Sequence, residues 1–281
     1  MSVKTLYISD LDGTLLNKEK EISGYSQDIL NRLIDGGVHF SVATARTSAS
    51  SVKILSGIRL REPVVLMNGV VIYDISREHY LKTEEISART VEGILAAFKR
   101  HELTGFMYAV SDNRLVTFYE NLCTPALTDF YEERVTRFNK PFEQVESFVH
   151  RTRDNRIIYF VLIDEFPKLS RVAEELRQYP DIGPVLYKDI YAENQWYLEV
   201  FSKNASKYHA VQYLRELGGY DRVIGFGDNL NDIPLFEACD ECYAVSNAVE
   251  ELKRVSTGVI GANHEDGVAR FIAQREGLGG V

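Results

Sequence analysis

The stretch YISDLDGTLLN (7–17) sets Asp10 and Asp12 two residues apart, with Gly13 and Thr14 directly behind them. Carboxylates that close repel each other and raise one another's pKa, unless a cation or a shared proton lies between them. Further polar groups recur at the ends of apolar runs. Thr44 and Arg46 close VHFSVAT and its continuation, Asn68 and Gly69 close PVVLMNG, and Asp228, Asn229, Asn231 and Asp232 follow VIGFG. Asp10, Asp12, Asp228 and Asp232 are four carboxylates, accompanied by a hydroxyl and amides. Brought together, they call for a hard cation held through oxygen, and Mg²⁺ is the candidate.

The elements predicted from the same chain would bring them together. TLYIS (5–9) reads as a strand buried on both faces. Ser23 caps a helix with the stripe Ile29, Leu30, Leu33 and Ile34, and Gly36-Gly37 ends it. VHFSVAT (38–44) and PVVLMNG (63–69) are further strands. Toward the C-terminus, DRVIGFGD (221–228) and CYAVSN (242–247) alternate with helices at 232–239 and 248–255. That rhythm predicts parallel βαβ units, an α/β fold with a doubly wound parallel sheet. In such a sheet, functional residues gather in the crevice beyond the carboxyl ends of the strands.

The middle of the chain reads differently. A helical stripe of Ile86, Val91, Ile94, Leu95 and Phe98 precedes a hairpin signal around Ser111-Asp112-Asn113. RIIYFVLID (156–164), a helix after Pro167, and the runs VLYKDIYA and WYLEV follow. Hairpins mixed with helices predict an α+β module inserted over 84–200 into an α/β core made of 1–83 and 201–281.

DLDGTLL, the Thr of ATAR, a lysine and GDNLND resemble, in order, the four motifs of the haloacid-dehalogenase-type phosphotransferases. MNGVVIYD, VSNAVEELK and HEDGVARFI resemble more narrowly the Cof-like branch, which carries a large α+β cap between its second and third motifs. The resemblance implies a Mg²⁺-dependent phosphatase acting on a small phosphorylated metabolite, a sugar phosphate or similar polyol ester. It implies that Asp10 is the nucleophile that becomes an aspartyl phosphate, and that Asp12 protonates the leaving oxygen and then deprotonates water. Asp10, the backbone carbonyl of Asp12 and Asp228 would hold the metal, with Asp232 supporting its waters or the lysine from behind. Thr44 and Asn231 would contact the phosphate, and Arg46 and Asn68 are further candidates for substrate contact. Lys207 opens a helix with the stripe Ala210, Val211, Leu214 and Leu217 and is preferred over Lys203 as the motif lysine.

Two positions depart from the family's pattern. Ala45 and Tyr208 stand where glycines usually follow the threonine and the lysine, which bears on leaving-group specificity. Two alternatives stay open. A phosphomutase of the same superfamily would pass the phosphoryl group between substrate hydroxyls, and a non-catalytic sensor would only bind the phosphorylated ligand.

Composition sets the outer bounds. With 281 residues, 45% hydrophobic and 26% charged, the chain is globular, with one large or two moderate domains. No apolar run approaches the roughly 18 residues of a membrane span. A net charge of −9 without a basic run argues against nucleic acid, and leaves an anionic substrate in need of a metal or a few placed cations. Three cysteines and an N-terminus without a signal-peptide layout point to a reducing compartment, the cytoplasm. Cys239 and Cys242 form a C-x₂-C, but zinc wants four ligands and Cys123 is distant, so a buried thiol pair is expected. Tyr187, Tyr191, Trp196 and Tyr197 alternate along the last cap strands, where they pack in the core or, on a face toward the cleft, would stack on the organic part of the substrate. Nothing in the sequence fixes an oligomeric state.

Overall fold

The computed structural model describes residues 3–189 and 194–278. The chain opens with β1 (Thr5–Ser9), α1 (Gly24–Asp35), β2 (His39–Val42), α2 (Ser48–Leu55), β3 (Val64–Leu66), β4 (Val71–Asp74) and β5 (His79–Thr83). It continues with α3 (Ala88–Arg100), β6 (Gly105–Ser111), β7 (Arg114–Tyr119), α4 (Pro125–Phe138), β8 (Phe142–Gln144), β9 (Arg156–Asp164), α5 (Phe166–Leu176), β10 (Ile182–Lys188) and β11 (Trp196–Ser202). It closes with α6 (Lys207–Gly218), β12 (Arg222–Gly227), α7 (Ile233–Ala238), β13 (Glu241–Val245), α8 (Glu250–Val255), β14 (Gly258–Ile260) and α9 (Gly267–Arg275). Two compact units result, Met1–Lys82 with Ser206–Val281, and Thr83–Ala205.

The first unit is built on a sheet of order β14-β13-β12-β1-β2, with every pair parallel. Leu6, Tyr7 and Ile8 of β1 are at most 1% exposed, as a strand covered on both faces requires. Each such side chain contributes about 1.5–3 kcal/mol through burial. α1 starts where Ser23 accepts the Ser26 N–H, and it buries Ile29, Leu30, Leu33 and Ile34. α1 packs on α9, and α6 packs on α7.

One predicted strand departs from this pattern. β3 touches the β2 end through a single parallel bridge, Ala43 to Val65, and otherwise pairs antiparallel with β4 in a separate sheet β3-β4-β5. The backbone explains it. Met67, Asn68 and Gly69 all have positive φ (52°, 53° and 102°), and this turn sends the chain straight back as β4.

The second unit is a six-stranded sheet of order β10-β11-β9-β6-β7-β8. Its cluster of Ile94, Phe98, Met107, Phe160, Leu169 and Leu198 packs α3 and α5 against one face. The β6–β7 hairpin turns on Asp112 and Asn113, whose φ angles of 47° and 59° suit a two-residue turn with right-handed strand twist. α4 was not foreseen. Thr124 caps it and Pro125 occupies its first turn, while Phe130 stacks on Phe106. β11 runs on to Ser202, opposite Ile182, so this unit ends at Ala205 where 84–200 was expected.

The expected packing role of the late aromatics holds for Trp196, which lies against the core cluster. Successive strand residues point to opposite faces. Tyr197 therefore leaves that core and stacks on Tyr187, which is 41% exposed. Tyr191 lies outside the described residues. Among the described residues, no helix is long and apolar enough to cross a membrane.

Candidate active site

The Asp10 N–H donates to the Phe226 carbonyl (2.9 Å), adding one rung to the β1–β12 ladder and placing the carboxylate at the carboxyl edge of the sheet. The next residues turn sharply, with Asp12 extended (φ −73°, ψ 120°) and Gly13 at φ +80°. A Cβ on Gly13 would collide with the Asp228 carboxylate, so both the backbone angle and the close approach demand glycine. Thr14 Oγ1 donates to Asp228 Oδ1 at 3.2 Å.

Lys207 reaches this edge from the first turn of α6. Its Nζ donates to Asp10 Oδ1 and to Asp232 Oδ1, both at 2.6 Å, and the side chain is 1% exposed. The second oxygen of Asp232 accepts the N–H groups of Asp228 (3.0 Å) and Asn229 (3.2 Å). Asp232 thereby fixes the lysine with one oxygen and the loop after β12 with the other. The start of α6 is held in turn by the β3 turn, since a Cβ on Gly69 would strike the Ser206 backbone.

Asp10, Asp228 and Asp232 each present an oxygen within 4.8 Å of the others. Burial pushes the Asp10 carboxyl up to about 7, against the pull of the Lys207 ammonium and with the push of Asp232. Burial, and then Asp232, pushes Asp228 up to about 6. Burial also works against the charge on Lys207, yet its two carboxylate partners outweigh that and raise its pKa. One ammonium thus faces three carboxylates. The remaining negative charge and the all-oxygen donor set fit a hard divalent cation.

The other predicted residues take distinct places. Thr44 is 1% exposed and its Oγ1 accepts the Arg46 N–H at 3.2 Å. Arg46 grips Asp12 with both prongs, Nε to Oδ2 at 2.6 Å and a terminal nitrogen to Oδ1 at 2.5 Å. The Asn68 N–H donates to the Thr44 carbonyl (3.0 Å), and its buried Oδ1 has no hydrogen-bond partner among the described residues. Asn231 is exposed. Lys203 belongs to the second unit, where its N–H bonds the Asp181 carbonyl. Ala45 is exposed, and Tyr208 is 36% exposed with its ring edge-on to His209.

Two positioning residues escaped the sequence reading. Thr14 was visible beside Asp12 but had no role assigned. Asn247, inside VSNAVEELK, donates to the Gly13 carbonyl (2.8 Å) and accepts the Asn263 N–H (2.9 Å), tying the acidic turn to the far edge of the sheet. An asparagine just after a core strand was the available signal.

The sequence profile of haloacid dehalogenase-like hydrolases matches residues 7–272. The chain belongs to that family. This haloacid dehalogenase-like hydrolase is 28% identical to the 5-amino-6-(5-phospho-D-ribitylamino)uracil phosphatase YwtE of Bacillus subtilis, over 94% of this chain and 96% of that one. It is 26% identical to the pyridoxal phosphate phosphatase YbhA of Escherichia coli, over 94% and 95% respectively. A haloacid dehalogenase-like hydrolase from Bacteroides thetaiotaomicron superposes with a TM-score of 0.78 at 22% identity, covering 96% of this chain and 99% of that one. TM0651 from Thermotoga maritima superposes at 0.77 with 24% identity, covering 96% of each. These likenesses establish the fold, a doubly wound parallel core carrying an additional, largely antiparallel α+β unit.

Proposed function

We propose that this hydrolase is a Mg²⁺-dependent phosphatase that cleaves small phosphorylated metabolites, sugar phosphates or related polyol esters, through an aspartyl phosphate on Asp10. The chain is a phosphoric monoester hydrolase of the haloacid dehalogenase type, in keeping with its family and its phosphatase relatives. The observation that carries the finer reading is the buried Lys207, held by Asp10 and Asp232 beside Asp228. Phosphoryl transfer needs in-line positioning and neutralised oxygens more than elaborate covalent chemistry.

Asp10, the Asp12 carbonyl and Asp228 would hold Mg²⁺, whose charge would screen the anionic nucleophile from the anionic phosphate. Lys207 fixes the Asp10 carboxylate against rotation. An Asp10 oxygen bonds phosphorus as the bond to the leaving oxygen breaks, and Asp12 gives that oxygen its proton. Water then attacks the phosphoenzyme, Asp12 takes the water's proton, and the bond to Asp10 breaks to release phosphate. Thr44 and Asn231 supply hydrogen bonds to the phosphate oxygens, and Arg46 and Asn68 border the same edge.

The test is phosphate release from a panel of phosphorylated sugars, nucleotides and cofactors, with Mg²⁺ and with EDTA. Release should require both Mg²⁺ and Asp10. Full activity of Asp10→Asn would overturn the mechanism, and isomer formation without free phosphate would replace hydrolysis by mutase chemistry.

A further inference from the structure

Two asparagines far along the chain hold the acidic turn. Asn247 Nδ2 donates to the Gly13 carbonyl (2.8 Å), and its Oδ1 accepts the Asn263 N–H (2.9 Å). Asn263 Nδ2 in turn donates to the Leu16 carbonyl (2.7 Å). The Leu16 N–H returns to the Leu11 carbonyl (2.9 Å), so the turn is closed on itself and tied at two of its carbonyls.

The same stretch reaches the second acidic loop. Two residues after Asn247, the Val249 N–H donates to the Asp228 carbonyl (2.9 Å), and between them the Ala248 N–H closes a turn on the Val245 carbonyl (2.9 Å). The turn after β13 thus bonds Gly13 and Asp228 at once. Gly13 itself lies too close to the Asp228 carboxylate to accept a Cβ, and Thr14 Oγ1 bonds Asp228 Oδ1. The Asp12 carbonyl, one peptide before that of Gly13, and the Asp228 carboxylate are both ligands of the proposed metal. Asn247 is the side chain through which the turn after β13 fixes one of them against the other.

Asn247 is exposed and so are both its bonds, so water can replace its amide at little cost to folding. Those bonds do more for geometry than for stability, and geometry matters unequally among cations. Mg²⁺ demands a near-ideal octahedron with ligands at about 2.0–2.1 Å, whereas Ca²⁺ accepts longer, irregular sets at about 2.3–2.6 Å.

We propose that Asn247, steadied by Asn263, is a positioning residue that sets the spacing between the Asp12 carbonyl and the Asp228 carboxylate and thereby favours Mg²⁺ over Ca²⁺. The inference rests on the metal-dependent reading for the identity of those two groups as ligands.

Calorimetric titration of protein freed of metal, with MgCl₂ and with CaCl₂, compares wild type, Asn247→Ala and Asn247→Asp. Aspartate keeps the shape and the acceptor for the Asn263 N–H but loses the donor to Gly13. Mg²⁺ should bind about tenfold weaker in both variants, as when a partner behind a metal ligand is removed, while Ca²⁺ changes by less than about threefold. The Mg²⁺/Ca²⁺ affinity ratio should therefore fall even in Asn247→Asp, although its added negative charge attracts any cation. The melting temperature of either variant in EDTA should drop by no more than about 4 °C. An unchanged ratio overturns the proposal, whether neither ion is affected or both weaken together in a protein that melts lower, as a merely structural residue would give. Wild-type protein that takes up no Mg²⁺ overturns the metal reading and the proposal with it. Phosphate release with Mg²⁺ is measured in parallel on the ester panel. A shifted ratio with no release from any ester keeps the proposal and overturns the phosphatase reading.

Discussion

Replacing Lys207 by methionine tests the electrostatic core of the site. The ammonium is 1% exposed and bonds Asp10 and Asp232 at 2.6 Å each. Methionine keeps the volume and apolar stem but leaves both buried carboxylates without a cation. Removing one partner of a buried ion pair costs about 3–5 kcal/mol, and a lysine shared by two carboxylates belongs toward the upper end. For a unit of this size, about 2–4 °C is lost per kcal/mol, giving a fall of about 6–20 °C in melting temperature. Thermal unfolding at pH 7 in EDTA, followed by circular dichroism, reads it directly. The double variant Lys207→Met/Asp232→Asn removes one of the stranded charges and should recover part of the loss, a coupling within one network. A Lys207→Met protein that melts within about 2 °C of wild type, or a double variant showing the plain sum of both losses, would refute the argument.

Four further outcomes are expected. Mg²⁺ at a hundredfold excess over its Kd should raise wild-type stability by about 2.7 kcal/mol in thermal melts, and Asp228→Asn should abolish that increment. Gly13→Ala, which forces a methyl into the Asp228 carboxylate at φ +80°, should cost at least about tenfold in kcat while far-ultraviolet dichroism stays native. With native protein, a thiol reagent should label Cys123, which is exposed, rapidly; Cys242 is buried and burial pushes the Cys239 thiol up, so neither should follow until unfolding. Burial pushes Asp181 up, but hydrogen bonds from Ser87 and Thr90 outweigh it and hold the carboxyl below its ordinary value. Its stabilisation is therefore complete above the unfolded value of about 3.9 and is lost as pH falls through the lower folded one, so Asp181→Asn should flatten the acid limb of a stability–pH curve.

The elements that hold the site were legible where local pattern and burial agree. TLYIS and RVIGFG carry apolar residues on both faces, Leu6 to Ile8 and Val223 to Phe226, because both faces are covered, and the doubly wound core follows from their alternation with amphipathic helices. β3 was misread as a regular member of that sheet. VVL looks the same in either setting, and what decides is the run of three positive φ angles after it, of which Asn68 and Gly69 are announced by residue type and Met67 is not. α4 carries Thr124, Pro125 and a mixed aromatic face whose period is blurred by Phe130 and Tyr131, so its cap was readable and its stripe was not. Within the site, Asp10, Asp228 and Asp232 could be named from spacing and family resemblance. The bond from Asn247 to the Gly13 carbonyl could not, because it joins residues 234 positions apart whose meeting depends on the whole sheet order.

The two cations at the carboxyl edge of the sheet, Lys207 and Arg46, differ in burial, and this divides their work. Lys207 and its carboxylates are at most 5% exposed, so opening that contact strands charges in a low-dielectric interior. It is a fixed part of the site. The Arg46–Asp12 pair is 16% and 48% exposed, in the range where ion pairs are worth about 0–1 kcal/mol because water compensates each partner. Both Asp12 oxygens accept from Arg46, whereas its proposed role needs one of them directed at the leaving oxygen. Opening that grip costs little, and a phosphate dianion offers the guanidinium the same two-pronged geometry in exchange. Arg46→Lys, which keeps the charge but loses the fork, should therefore raise KM several-fold and change kcat less, whereas Lys207→Arg should lose kcat outright. Steady-state kinetics on one good substrate decides it. An Arg46→Lys variant whose kcat falls as far as that of Lys207→Arg would mean that the arginine is as fixed a part of the site as the lysine.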